Sequence, residues 1–365
     1  MNELQIVVVG AGHMGRRHAQ KVAALAEAGA PVRLAGVIDI IEHRAADLGR
    51  KLGVPYASNA ASNAASNAVS NAAVDARELI ARADAAIVAV STIGHYEVVK
   101  SALLANCDVL VEKPIAATLE EGEELIALAG ERGRILQVGH LEWFNNAMRV
   151  IRDRIHRPRF IEAHRMGPYS HRESDIDVVR DLMIHDLEIL HRLVGEEPDR
   201  IEAVGISVLS DNADIANARL TFPGGCVANL TASRVSLTPM RRLRFFQSDG
   251  YFVIDFLEQT AVVIRREVPH ETASAELDVE KIEVDRGDAL LDQLQHFIDA
   301  VRTGSKPVVD GAEGLGALRT AVRINQAMPD LDDDYDIDYD TDHDTDHGTD
   351  QDTDQHADHD QEFEA

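Results

Sequence analysis

The stretch Gly10-Ala11-Gly12-His13-Met14-Gly15 follows directly on an apolar run at 4–9 and opens an alanine-rich segment of helical texture at 14–28. Strand, glycine loop and helix in immediate succession leave few alternatives to a βαβ unit that binds a phosphorylated ligand. The first glycine permits a tight turn, the second lets a pyrophosphate approach the backbone, and the third lets the helix lie against the strand. The helix N-terminus then offers free N–H groups and the positive end of its dipole. Gly10, Gly12, His13, Met14 and Gly15 are therefore the first candidate contacts to a dinucleotide.

The residues that follow keep the same alternation. Segments 32–38, 85–90 and 109–111 read as strands, 42–51 and 96–105 as helices, with a short extended piece at 54–56. Such alternation predicts an α/β fold with a doubly wound parallel sheet, here a Rossmann domain over residues 1–125. Residues 58–73 interrupt it with a Ser-Asn-Ala repeat that lacks large apolar side chains and is expected to form a surface loop. Beyond about residue 145 the texture changes. Segments 200–210, 216–222, 226–234, 242–247, 251–256 and 260–266 are closely spaced strands, so residues 126–328 are expected to form a second α/β domain around a mostly antiparallel open sheet. Helices at 290–302 and 313–327 close it.

The net charge of −27 belongs largely to the end of the chain. Fifteen Asp and two Glu after residue 329, with no Lys or Arg, account for −17 and leave −10 for the remainder. Residues 329–365 are expected to be a disordered acidic tail. No basic footprint exists for nucleic acid. Cys107 and Cys226 are the only cysteines and lack metal or redox spacing, which suits a reducing compartment. No apolar run approaches membrane-spanning length and no basic leader opens the chain. A soluble, cytoplasmic protein without membrane contact or a bound metal is the expectation.

Three further constellations carry chemistry. Asp39 closes the second strand, 24 residues after Gly15. A carboxylate there accepts hydrogen bonds from both ribose hydroxyls of an adenosine and repels a 2′-phosphate, which favours NAD over NADP. Its alternative use is to cap the next helix. Glu112-Lys113-Pro114 ends the strand at 109–111, and ligands in such sheets bind at the carboxyl ends of strands. Pro114 disfavours helical geometry at Lys113 and holds it extended. Asp181 and His185, four apart on an expected helix, share one face. A neutral imidazole beside a carboxylate is a proton acceptor.

GAGHMGRRHA at 10–19, STIGHYEVVKSALLANCDVLVEKPIA at 91–116, VGH at 138–140 and the Asp181/His185 pair together resemble the Gfo/Idh/MocA oxidoreductases. The resemblance covers roughly 4–327. It implies a Rossmann domain followed by an α/β domain whose open sheet serves as a homo-oligomer interface. It also implies that Lys113, Asp181 and His185 line the substrate site beside the nicotinamide. GHLEWFNNAMRVIR at 139–152 and the segment 164–190 resemble, more narrowly, the branch that oxidises the 3-hydroxyl of UDP-N-acetylglucosamine with NAD. In some bacteria that reaction precedes an aminotransferase step in lipid A assembly. The chain departs from that branch at Trp143 and Asn146, where Arg and Pro are usual.

On this resemblance the catalytic residues are Lys113, Asp181 and His185, with lysine and histidine free to exchange the roles of base and alkoxide stabiliser. Glu112 is expected at the nicotinamide ribose, and Ser91, Thr92, His95 and His140 along the cofactor cleft and substrate site, unless His95 and His140 are ordinary core histidines. Arg165 and Arg172 are candidates for the substrate diphosphate, or else ordinary surface arginines. Rival readings are dehydrogenases of an inositol, a free aldose or a UDP-sugar acid, and a non-catalytic NAD-binding regulator.

Overall fold

A computed structural model of the protein describes residues 3–58, 75–169, 176–266 and 277–329. The Ser-Asn-Ala repeat, apart from Ser58, and the acidic tail, apart from Pro329, lie outside the described residues, as does Arg172.

Six parallel strands form the first sheet: β1 (Leu4–Val9), β2 (Val32–Ile38), β3 (Tyr56–Ala57), β4 (Ala85–Val88), β5 (Asp108–Val111) and β6 (Leu136–Val138). Their order is β3-β2-β1-β4-β5-β6, which reverses direction between β1 and β4 and opens a crevice at the carboxyl ends. The first strand is apolar at every position but Gln5 because both faces are covered. Ile6 and Val8 join one cluster with Leu34, Val37, Ile87 and Leu110, while Val7 and Val9 point into the other. The helices between the strands are α1 (His13–Glu27), α2 (Glu42–Leu52), α3 (Ala76–Ala81), α4 (His95–Leu104) and α5 (Leu119–Arg132). α5 starts on a reciprocal capping box between Thr118 and Glu121 and ends on left-handed Gly133.

After the short helix α6 (Asn146–Arg149) comes an eight-stranded sheet: β7 (Phe160–Met166), β8 (Arg200–Ile206), β9 (Ile215–Thr221), β10 (Val227–Ser233), β11 (Met240–Gln247), β12 (Gly250–Asp255), β13 (Thr260–Arg266) and β14 (Leu277–Ile282). The order is β14-β13-β12-β11-β7-β10-β9-β8. Every pairing is antiparallel except β7 with β10, so the expected mostly antiparallel sheet is present. Strand β7, at the centre, alternates buried and half-buried side chains. One face of the sheet packs against the core that includes α7 (Ile184–Val194) and α9 (Gly311–Ala327). The late helix α8 (Ala289–Thr303) returns to the first sheet instead, where Leu294, Phe297 and Ile298 complete the cluster around Ile6 and Val8.

Candidate active site

The glycine loop after β1 has the geometry its spacing demands. Gly10 sits at φ 101°, and a Cβ there would lie 2.3 Å from the Ala89 carbonyl oxygen. A Cβ on Gly15 would lie 1.7 Å from the Gly10 oxygen, whereas one on Gly12 would meet only open space. Gly12 begins α1 with no side-chain cap and no acidic residue follows in the first turn, so this end accepts an anion. His13 is exposed and Met14 half-buried at the same mouth. Gly15→Ala is expected to abolish NAD binding, since loop and helix would have to separate. Thermal unfolding checks it: NAD will no longer raise the melting temperature of the variant.

Asp39 is buried beside this loop. One carboxylate oxygen accepts from the Ala11 N–H at 2.6 Å and the other from the Ile41 N–H at 2.7 Å. Asp39 therefore docks the glycine loop onto β2, and Ile41 is the residue that begins α2. Ser91 is exposed and Thr92 half-buried in a single turn after β4, still facing the crevice edge. Of its two expected places, cleft and core, His95 takes the core. It is 1 % exposed, with Nδ1 2.8 Å from the Pro114 carbonyl and Nε2 3.2 Å from that of Val90. Burial lowers its pKa despite these two bonds. His95 fastens the loops after β4 and β5 to each other and presents no polar atom to a ligand.

At the end of β5 the carboxylate of Glu112 is buried against α1, where His18 Nε2 lies 2.7 Å from its Oε1. Gly139, after β6, passes so close that a Cβ would stand 2.8 Å from the other oxygen. The sequence drew attention to Glu112 but not to His18, whose signal was its place one turn past Gly15 on the inner side of α1. The Lys113–Pro114 peptide is cis. Lys113 Nζ donates to the Asp181 backbone oxygen at 2.7 Å and to its carboxylate at 2.9 Å.

Asp181 lies on a π-helical turn, Val179–Met183, that runs into α7. The turn is anchored by Asp177, which accepts from the Val179 and Arg180 amides, and by Arg234, which holds the Ile176 carbonyl. Where the sequence reading set Asp181 beside His185, this turn directs its carboxylate onto Lys113. His185 itself is half-buried, with its Nδ1 inaccessible and unpartnered among the described residues. The ring of His140, from the turn after β6, stands edge-on to it with centroids 6.0 Å apart. Both nitrogens of His140 are buried and, among the described residues, unpartnered. Burial, reinforced by Lys113, Arg192 and Arg165, pushes His140 down to about 3. Burial, then Arg165 and Lys113, holds His185 well below the ordinary imidazole range. Both rings are neutral at physiological pH.

Arg165 requires a correction. It is neither a surface arginine nor turned toward a diphosphate: at 2 % exposure it bonds Asp186 through Nε and Nη2, at 3.0 and 2.8 Å, and Glu142 through Nη1 at 2.6 Å. Trp143, where a relative's arginine would stand, is buried between the guanidinium groups of Arg192 and Arg152, 4.3 and 5.1 Å from the ring centre. Asn146 donates to the Asp285 carbonyl and accepts from Arg149. Both departures from the branch pattern are absorbed in packing around the site.

Comparison with known proteins bears on the family and the fold. Residues 4–140 match the Gfo/Idh/MocA model described as an oxidoreductase family with an NAD-binding Rossmann fold, and residues 147–253 match the C-terminal domain model of the same family. The chain is 35 % identical over 329 residues to a UDP-N-acetylglucosamine 3-dehydrogenase of Acidithiobacillus ferrooxidans, covering 90 % of this chain and 98 % of that one. A solved structure of that enzyme superposes with a TM-score of 0.78 at 34 % identity over the same shares. A myo-inositol 2-dehydrogenase of Thermotoga maritima is 26 % identical, over 86 % of this chain and 93 % of that one. An open phosphate cradle ahead of α1, a strand-end lysine, and a match along nine-tenths of its length identify the chain as an oxidoreductase: it belongs to the NAD-binding Gfo/Idh/MocA family.

Proposed function

We propose that this enzyme oxidises the 3-hydroxyl of a UDP-hexosamine, UDP-N-acetylglucosamine, to the 3-keto sugar nucleotide. The observation that carries the chemistry is the meeting of Lys113, Asp181, His185 and His140 at the end of β5 and β6. The substrate is inferred from the 35 % identical dehydrogenase, of which the match covers 98 %. Bound NAD supplies the hydride acceptor. Gly10, Gly12 and Gly15 with the start of α1 would hold its pyrophosphate and Asp39 its adenosine ribose. In a division at residue 125, residues 1–125 would serve the cofactor and 126–328 the sugar nucleotide.

His185, neutral and half-buried at the site, takes the hydroxyl proton. Lys113 places its ammonium against the developing alkoxide, a preorganised charge that needs no rearrangement during the reaction. Asp181 positions that ammonium through the 2.9 Å bond already in place. His140 stands edge-on to His185 and keeps its ring from turning away. The 3-keto product is a carbonyl suited to an aminotransferase, which we take as the enzyme's functional partner, and the open sheet as the surface through which copies associate.

The test is NADH absorbance with NAD and UDP-N-acetylglucosamine, with an amino donor and a sugar-nucleotide aminotransferase added to draw off product. NADH is expected to appear, and NADPH from NADP much more slowly, since Asp39 meets the adenosine ribose. Reduction with myo-inositol but none with the sugar nucleotide would overturn the substrate assignment.

A further inference from the structure

Strand β11 sets a second arginine beside Arg165. In the antiparallel register of β7 and β11, Arg241 stands directly opposite Arg165. Residues paired in this way project from the same face of a sheet. Here it is the inward face, which carries Ile161 and Ala163 on β7 and Leu243 and Phe245 on β11, all buried. Strand β11 is fixed on its other side as well, where the Arg241 carbonyl accepts from the Phe256 N–H at 2.9 Å. The Arg241 side chain is therefore rooted in the middle of the sheet, on the face that carries the Glu142–Arg165–Asp186 group.

The two arginines differ in what they hold. Arg165 makes three hydrogen bonds, to Glu142 and Asp186, and is closed off from water. Arg241 leaves 48 % of its side chain exposed, and its one ion pair among the described residues is a 3.9 Å approach to Glu142. The oxygen it approaches already accepts from Arg165 Nη1 at 2.6 Å. Like charges directly opposite across a strand pair are destabilising. A second guanidinium in that place, with no hydrogen bond among the described residues, suits a bound anion better than it suits the sheet. Other cations near the site are held: Lys113 donates to Asp181, and Arg180 to Asp177. The charge of Arg241 also reaches the reaction centre, since after desolvation the cations that lower the pKa of His185 are Arg165, Lys113 and Arg241.

We infer that Arg241 binds the diphosphate of the sugar-nucleotide substrate, the part for which Arg165 was a candidate. The inference rests on the substrate class proposed above. A planar guanidinium can donate two parallel bonds to a phosphate and so fix its orientation as well as its place. The diphosphate is not altered by oxidation at carbon 3, so this bond is equally strong before and during hydride transfer. Arg241 therefore acts on how tightly the substrate is held and not on the rate of the chemical step.

Calorimetric titration of the full-length, NAD-loaded enzyme with UDP tests it. Arg241→Gln is expected to weaken UDP binding about 10–100-fold. Uridine, which lacks the phosphates, should bind both proteins equally weakly. KM for UDP-N-acetylglucosamine should rise by a similar factor while kcat stays within about threefold. Arg241→Lys keeps the charge without the fork and should fall between the two, and it reads the loss if Arg241→Gln does not fold. UDP bound as tightly by a folded variant as by wild type overturns the assignment. So do equal losses for UDP and uridine, or a fall in kcat with KM kept. Wild type that binds no UDP overturns the substrate reading and the role of Arg241 with it, whereas wild type and variants that bind UDP alike remove Arg241 only.

Discussion

Lys113→Ala is expected to lower kcat about 10³-fold while leaving NAD affinity within about threefold, the pattern of a charge that matters only once the alkoxide forms. Lys113 makes both its hydrogen bonds to Asp181, on the substrate side, and none to the glycine loop that would hold the pyrophosphate. Steady-state kinetics together with an NAD-binding titration separate the two effects. Because the substitution leaves the buried Asp181 carboxylate without its cation, Lys113→Met should be compared, with thermal unfolding as a control for the fold. Arginine should not restore activity, since a planar guanidinium cannot occupy the place of a compact ammonium. A variant that keeps near-normal turnover would remove Lys113 from the mechanism.

Arg165→Ala should cost about 3–5 kcal/mol of folding stability, because it strands two buried carboxylates that share one guanidinium. Chemical denaturation measures this directly. The two roles considered for Arg165 predict opposite results. A diphosphate ligand would raise KM for a sugar nucleotide and leave the unfolding midpoint alone. The central member of the Glu142–Arg165–Asp186 group should lower the midpoint first, and disturb kinetics only through the walls of the site.

These contrasts show where the sequence is readable and where it is not. The glycine loop, Asp39 and Lys113 are legible because their chemistry depends on neighbours in the chain: a strand before, a helix after, a proline next door. Helix α5 was not among the expected helices, although its capping box joins residues as near in the chain as Thr118 and Glu121. Contacts that close over long separations left no such trace. His18 meets Glu112 across 94 residues, and Lys113 meets Asp181 across 68. Strand β7 escaped recognition for a related reason. Its inward positions are Ile161, Ala163 and Arg165, so the charge that breaks the apolar alternation is the one later found paired in the core. The π-helical turn at Val179–Met183 is likewise invisible to a reading that assumes α-helical spacing, although it decides which way Asp181 faces.

The late return of α8 has a consequence for the order in which the molecule can be made. Ile6, Val8, Leu34 and Ile87 are synthesised early, but the residues that roof them, Leu294, Phe297 and Ile298, emerge from the ribosome some two hundred residues after the last of those strands. The cofactor-binding half can assemble its strands during translation, yet it must carry an uncovered apolar face until nearly the whole chain is free. Cutting the gene between the two sheets would therefore not yield two proteins. It would yield one fragment with a missing roof and another holding a helix with nothing to cover.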